Sequence, residues 1–204
     1  MYLYPSILGP SKAPHDYCYA FEKLDGSNLR WEYSRKTGWC KAGTRHRLFD
    51  ESEPLLGQAI PIFKQKYADI LAKMFKDHKD LRNRDRITVF CEFFGPSSFA
   101  GNHKENEPKD IVLFDVHLYK LGILGPKEFL DLFSHLHVPK LVYEGQLNST
   151  LIQSVKEGKY PVVEGVVCKG GKAPHGVWMR KIKTAAYLQK LKDFFGSGWE
   201  SYGE

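Results

Sequence analysis

With 204 residues, 42% hydrophobic and 14% aromatic, the chain carries enough apolar material for one packed core or a core with a small appendage, which excludes a disordered polypeptide. Lys and Arg number 30 against 24 Asp and Glu, and the resulting +6 and pI near 9.0 favour a polyanionic partner without specifying any chemistry. No apolar run approaches the roughly 18–20 residues that span a bilayer, and Met1 to Pro14 lacks the order of a signal peptide, so a cytoplasmic protein with no membrane partner is expected.

Cys18, Cys40, Cys91 and Cys168 are widely scattered with no C-x-x-C pair, which argues against a disulfide framework or a zinc site and fits a reducing compartment. Along the chain, Tyr17 to Phe21 and Leu29 to Tyr33 read as strands flanking the turn-forming Asp25-Gly26-Ser27. Arg35-Lys36-Thr37-Gly38 reads as a second turn and Trp39 to Gly43 as a returning strand, giving a series of short antiparallel strands. Ser52-Glu53-Pro54 predicts a helix start, with Ile60, Phe63, Tyr67, Ile70, Leu71 and Phe75 following at helical spacing on a face that packs against the sheet. Lys76 to Arg86 is a charged connector, ordinarily a solvated loop.

Ile87 to Phe94 and Ile111 to Tyr119 are strand candidates, separated by a polar, mobile loop from Gly95 to Lys109. Pro126 to Leu136 and Thr150 to Glu157 read as short helices. Val162 to Cys168 and Val177 to Ile182 read as strands joined through Gly170-Gly171 and Pro174. Ala185 to Phe195 reads as a final helix with Leu188, Leu191 and Phe195 on one side. Strands and helices mix without regular β-α-β alternation, which predicts an α+β fold of mainly antiparallel sheets flanked by helices, in a single domain over residues 1–204.

Four stretches carry chemistry. In Glu22-Lys23-Leu24-Asp25-Gly26-Ser27-Asn28 a lysine ends an apolar strand and Asp-Gly turns the chain; taken alone, this is an exposed lysine before a hairpin. Val89-Phe90-Cys91-Glu92-Phe93-Phe94-Gly95 sets a carboxylate inside an apolar strand, and Glu164-Gly165-Val166-Val167-Cys168-Lys169 does so again with a lysine at its far end. In Val177 to Lys183, the period of two puts Lys181 and Lys183 on one strand face. Buried charge is costly unless paired or bound to a ligand, so this combination is unusual for structure alone.

In their order, these stretches resemble motifs I, III, IV and V of the covalent nucleotidyltransferases, the superfamily of DNA ligases, RNA ligases and mRNA capping enzymes. Ile111 to Val116 resembles the motif whose aromatic residue, here Phe114, stacks on the purine. Gly43-Thr44-Arg45-His46-Arg47 lies where the superfamily places a basic segment for the 5′-phosphate, with Arg45 preferred and Arg47 open as an alternative. The likeness covers about Ala20 to Thr184. Asn28, where capping enzymes usually carry arginine, leans toward the RNA ligase 2-like group, and only about twenty residues follow Lys183, too few for an OB-fold domain. RNA ligase 2-like enzymes normally carry a C-terminal domain of their own, and none is expected within these 204 residues.

The resemblance implies an ATP-dependent RNA ligase. Lys23 attacks ATP to form a lysyl-AMP intermediate, AMP passes to a 5′-phosphate, and a 3′-hydroxyl displaces it. Lys181, Lys183 and a divalent metal, Mg²⁺ or Mn²⁺, would supply the positive field that favours a neutral lysine and offsets phosphate charge. Glu92 would bind the ribose hydroxyls and Glu164 would contact the metal. Glu22, Asp25, Gly26 and Asn28 surround the nucleophile in the nucleotide site. Lys169 would hold a phosphate, or is a snorkelling strand-end lysine. Each glutamate could instead be a core residue with a local partner, and Phe114 plain core.

The implied partners are RNA with 5′-phosphate and 3′-OH ends, DNA or a mixed duplex, and a partner domain or protein that supplies strand binding. A minimal DNA ligase, a capping enzyme and a non-catalytic nucleic-acid-binding module are the competing readings. His15, His46, His103 and His117 are isolated, no H-E-x-x-H occurs, and no P-loop is present, which disfavours a zinc hydrolase and P-loop phosphate binding.

Overall fold

The computed structural model describes residues 1–11, 13–174 and 176–203. The first half runs β1 (Tyr17–Lys23), β2 (Ser27–Ser34), β3 (Gly38–Thr44), the two-residue β4 (Leu48–Phe49), α1 (Ala59–Phe63), α2 (Asp69–Asp77), β5 (Arg86–Phe94) and β6 (Asp110–Leu118). The second runs β7 (Gly122–Ile123), α3 (Pro126–Phe133), β8 (Leu141–Gln146), α4 (Ser149–Lys156), β9 (Gly165–Gly170), β10 (Trp178–Lys183), α5 (Ala185–Phe195) and α6 (Glu200–Gly203). The strands form two antiparallel sheets, ordered β4-β3-β2-β5-β6-β7 and β10-β9-β1-β8. The class is α+β. Among the described residues no helix is long and apolar enough to cross a membrane.

The chain divides into two compact units. One comprises Met1–Tyr4, Gly26–Leu124 and His135–Val138 and contains the six-stranded sheet. Phe63, Tyr67, Leu71 and Phe75 form the buried face of its helical segment, with Trp31 stacked on Phe63 at 4.3 Å and Tyr33 edge-on to Phe75 at 5.3 Å. The predicted helix start moves from Ser52 to Ala59, because the Glu53 carboxylate first accepts the N–H groups of Leu55 and Leu56 and holds the chain in a turn. Ile70 lies outside the core, 40% exposed. Between α1 and α2 the chain makes a π-turn over Lys64–Ala68, which widens the period so that residues four apart stay inward and Ile70 rotates out. The Gly95–Lys109 loop is laced by polar contacts, including Ser97 N–H to Glu107 at 2.8 Å and a Lys109–Glu107 pair at 2.6 Å.

The other unit comprises Pro5–Asp25, Gly125–Ser134 and the chain from Pro139 onward. Cys18, Ala20, Val166, Cys168 and Ile182 face Leu151 and Val155 of α4 to make its core. Asn148 caps α4 through Leu151 N–H at 2.9 Å, and Thr184 caps α5 through Tyr187 N–H at 3.1 Å. The α5 bounds are those predicted, although its inward residues are Tyr187 and Leu191 with Leu188 and Phe195 half-buried. The helix predicted to run from Pro126 to Leu136 ends at Phe133. β8 is an additional strand with no counterpart in the sequence reading.

Two strand expectations are corrected. β1 and β2 do not form a hairpin: β1 pairs with β8 and β9, whereas β2 pairs with β3 and β5. The turn between them carries the chain from one sheet into the other. The strand expected from Val162 starts instead at Gly165, so Glu164 stands just before it. Val163 is 76% exposed, and Thr184 binds the carbonyls of Val163 and Glu164 at 2.9 Å each, drawing this backbone away from a ladder.

Candidate active site

In the four-stranded unit, the antiparallel register sets Lys23 of β1 and Lys183 of β10 opposite the same residue, Gly165 of β9. Glu164, 3% exposed, lies next to it. Its Oε2 accepts from Lys23 Nζ at 2.9 Å and its Oε1 pairs with Lys183 Nζ at 3.1 Å. Glycine is needed at 165: its φ is +151°, and a Cβ there would fall 2.0 Å from the Ile182 carbonyl oxygen. One buried carboxylate thus faces two ammoniums, and Asp25 acts on Lys183 as a further, weaker negative charge.

Burial holds the Lys183 pKa below the ordinary lysine value, Glu164 partly restores it, and Lys23 lowers it further. Lys183 also donates to the Tyr202 carbonyl at 3.3 Å. Lys181, two residues earlier in β10, is half-buried, and its backbone N–H donates to the Leu8 carbonyl at 2.9 Å. Glu22 and Asp25, on either side of Lys23 in sequence, are half-buried. Lys169 is 4% exposed, with its ammonium 5.2 Å from the Phe21 ring centroid and 5.7 Å from that of Phe129.

In the six-stranded unit, Gly26 presses on β5: a Cβ there would sit 2.3 Å from the Phe93 carbonyl oxygen. Asn28 stands directly opposite Glu92 in the β2–β5 ladder. Phe114 is the extra residue of a bulge in β6, since Phe90 pairs with Asp115 and Cys91 with Leu113. The Tyr4 ring is edge-on to Phe114 at 5.1 Å, and the Tyr4 hydroxyl donates to Asp115 Oδ2. Burial, then Asp115, raises the Tyr4 pKa well above the usual phenol, with smaller influences from Glu92 and Arg45. The two arginines of the basic segment differ: Arg45 is half-buried and acts on Tyr4, whereas Arg47 is 61% exposed and paired with Glu53 at 2.7 Å.

A model of the RNA ligase family matches residues 16–182. The chain belongs to the RNA ligase family. Solved structures show the same fold. A Naegleria gruberi RNA ligase with pyrophosphate is 17% identical, with a TM-score of 0.64 over 95% of this chain and 58% of that one. An archaeal ATP-dependent RNA ligase is 18% identical, with a TM-score of 0.63 over 100% of this chain and 56% of that one. An Aquifex aeolicus protein taken to be an ATP-dependent DNA ligase is 18% identical, with a TM-score of 0.62 over 94% of this chain and 52% of that one. The chain therefore spans between half and three-fifths of these proteins. No curated protein matches the sequence.

RNA ligase-family sequence motifs led to the lysines and glutamates but missed Tyr4, Asp115 and the contact of Ser27 Oγ with His103 Nε2 at 2.8 Å. Asp115 had a signal, a second charged residue in an apolar strand; Tyr4 and His103 lie in stretches without periodicity. Among the described residues there is no group of three or more His, Cys, Asp and Glu side chains that could hold a metal. Glu164 offers one carboxylate whose two oxygens both face ammoniums, a donor that fits a hard, oxygen-preferring ion such as Mg²⁺ or Mn²⁺ bound mostly by phosphate and water.

Proposed function

We propose that this RNA ligase-family chain is an ATP-dependent RNA ligase that carries AMP on Lys23. The observation that supports it most is the row Lys23–Glu164–Lys183: a strand-end lysine held at a buried carboxylate that a second lysine also binds. In the first step, Lys23 Nζ bonds to the α-phosphorus of ATP, the bond from that phosphorus to the bridging oxygen breaks, and pyrophosphate leaves. A 5′-phosphate oxygen then attacks the same phosphorus and releases the lysine. Finally a 3′-oxygen attacks the 5′-phosphorus and AMP leaves.

Lys23 attacks only after losing its proton, and the positive charge of Lys183 and Lys181 favours that loss while offsetting charge on the phosphates. Asn28 and Glu92, opposite each other in the ladder, serve nucleotide recognition, with Glu92 accepting from the ribose hydroxyls and Phe114 stacking on adenine. Asp25, Gly26 and Glu22 shape the turn at the nucleophile. Arg45, the half-buried arginine of the segment, is the preferred 5′-phosphate ligand, and Arg47 is exposed and paired with Glu53. Lys169 binds a phosphate. A bound Mg²⁺ or Mn²⁺, with Glu164 as its protein ligand, would add Lewis-acid polarisation of the phosphoryl oxygens. The Naegleria ligase has been solved with pyrophosphate, and one of its variants with AMP and Mn, which supports the choice of nucleotide and metal.

Joining of DNA is the second reading, favoured by the Aquifex structure, whose TM-score of 0.62 is close to those of the RNA ligases. The test is incubation with α-labelled ATP and Mg²⁺. Acid-resistant label on the wild type and none on Lys23→Ala is the expected result, and absence of label with ATP, GTP and NAD⁺ alike overturns the proposal. Nicked RNA and nicked DNA substrates then separate the two readings.

A further inference from the structure

At the end of the six-stranded sheet away from Asn28 and Glu92, three separate stretches bring basic side chains together. The β2–β3 turn contributes Arg35 and Lys36, the connector before β5 contributes Lys79, Arg82 and Arg84 with Arg86 at its end, and the β6–β7 turn contributes Lys120. Backbone pairing fixes their adjacency. Ser34 is opposite Arg86 in the β2–β5 ladder, Arg35 N–H donates to the Asp85 carbonyl at 3.0 Å, and Tyr119 N–H donates to the Arg86 carbonyl at 3.1 Å. The Arg86 guanidinium lies 4.2 Å from the Tyr119 ring centroid, and the Lys120 ammonium 5.7 Å from it.

These seven cations meet two carboxylates, Asp80 and Asp85, a local balance of +5 in a chain whose whole excess is +6. Six of the seven are exposed and Arg84 is half-buried. Among the described residues none of the seven forms a salt bridge, whereas Lys64, Lys73, Lys127 and Lys159 elsewhere on the surface each pair with a carboxylate. Like charges gathered at one sheet end repel one another, and the Tyr119 ring beside Arg86 and Lys120 favours a cation at only two of the seven positions. A polyanion laid across them removes the repulsion and releases its own counterions.

We propose that this sheet end grips the sugar–phosphate backbone of the RNA strand to be joined, an inference that rests on the ligase reading. From Ser34 to Asn28 is six residues of β2, about 20 Å at ~3.3 Å per residue. That is the span of about six phosphates at the 3.4 Å axial spacing of a B-form strand, and of fewer in an extended single strand. RNA held at the basic end thus reaches the Asn28–Glu92 end within a short oligonucleotide. Tyr119, 39% exposed, adds an aromatic ring among the cations on which a base can stack.

The test is fluorescence anisotropy of a labelled 5′-phosphorylated RNA of about 20 nucleotides, titrated with protein between about 50 and 200 mM salt. The variant Lys36→Gln/Arg82→Gln/Lys120→Gln removes one exposed cation from each stretch. It should bind RNA about 10- to 100-fold more weakly at low salt, with the slope of log affinity against log salt shallower by about 2, or ~0.7 per lost contact. The single variant Lys36→Glu should weaken binding in the same direction, and transfer of AMP to Lys23 should remain at the wild-type rate in both. Unchanged affinity and slope in folded variants overturns the proposal, as does loss of binding to phosphatidylserine vesicles with RNA binding intact. If no lysyl-AMP forms in the wild type while the variants still lose RNA, the ligase reading fails and the RNA-binding face stands.

Discussion

Lys23 and Lys183 approach Gly165 from the two strands that flank it, and their ammoniums take different oxygens of Glu164, at 2.9 and 3.1 Å. Lys23 and Lys183 are therefore coupled through one buried carboxylate that serves both cations. Glu164→Gln removes the anion and leaves both ammoniums facing an amide. Urea denaturation should show a loss of about 3 kcal/mol, in the range for breaking a buried pair. Glu164→Gln/Lys183→Met should recover at least about 1 kcal/mol of that loss; simple additivity of the two changes would contradict the shared-anion arrangement.

Gly165→Ala tests the geometry beneath the charges. The added Cβ meets the Ile182 carbonyl at 2.0 Å and φ is +151°, so β9 and β10 must separate. The expected cost is about 3 kcal/mol or more. Thermal melting reads it, and a melting temperature within about two degrees of wild type would show that the strands accommodate the methyl.

His117 gives the fold an acid sensitivity. It is buried, Tyr2 stacks on it at 3.7 Å, and burial holds its pKa down to about 4 from the ordinary 6.5. Between these values the unfolded chain takes up a proton that the folded chain refuses, so stability is complete above about 6.5 and falls as pH drops toward 4. The loss from this residue is up to about 3 kcal/mol. His117→Phe should flatten the stability profile over that window, and an unaltered profile would assign the acid sensitivity to other groups.

Tyr4→Phe removes the phenol that donates to Asp115 while keeping the ring beside Phe114. It should cost about 1.5–3 kcal/mol by denaturation, the scale of a buried charge-assisted hydrogen bond. Phe114→Ala should raise the KM for ATP in the adenylylation assay about tenfold, while Tyr4→Phe should raise it less. Equal KM values for Phe114→Ala and wild type would remove Phe114 from adenine stacking.

The sequence made most of the strands legible because their apolar runs are long and bounded by Gly, Pro and charge, as at Ile87 to Phe94. It did not show that β1 and β2 part into different sheets, because a Lys-x-Asp-Gly turn has the same local chemistry whether it closes a hairpin or carries the chain onward. β8 escaped notice because its residues are mostly exposed or half-buried and follow no alternation. For the site, ordered motifs gave Lys23, Glu92, Glu164, Lys181 and Lys183, and the row of Lys23, Gly165 and Lys183 follows once strand register is known. The Tyr4–Asp115 contact spans 111 residues and carries no local pattern, so only the fold brings it out.

The bulge at Phe114 has a consequence for how this part of the chain tolerates change. Phe114 stands outside the ladder because β6 carries one residue more than β5 between two matched pairs. Its direction is thus set by a count of residues and not by its own side chain. Substitution at 114 alters what is presented there, whereas deleting one residue beside it would close the ladder and draw Phe114 into it, opposite Cys91 or Phe90. Variation in chain length is therefore the more disruptive kind of change here, and a swap of aromatic for aromatic the mildest.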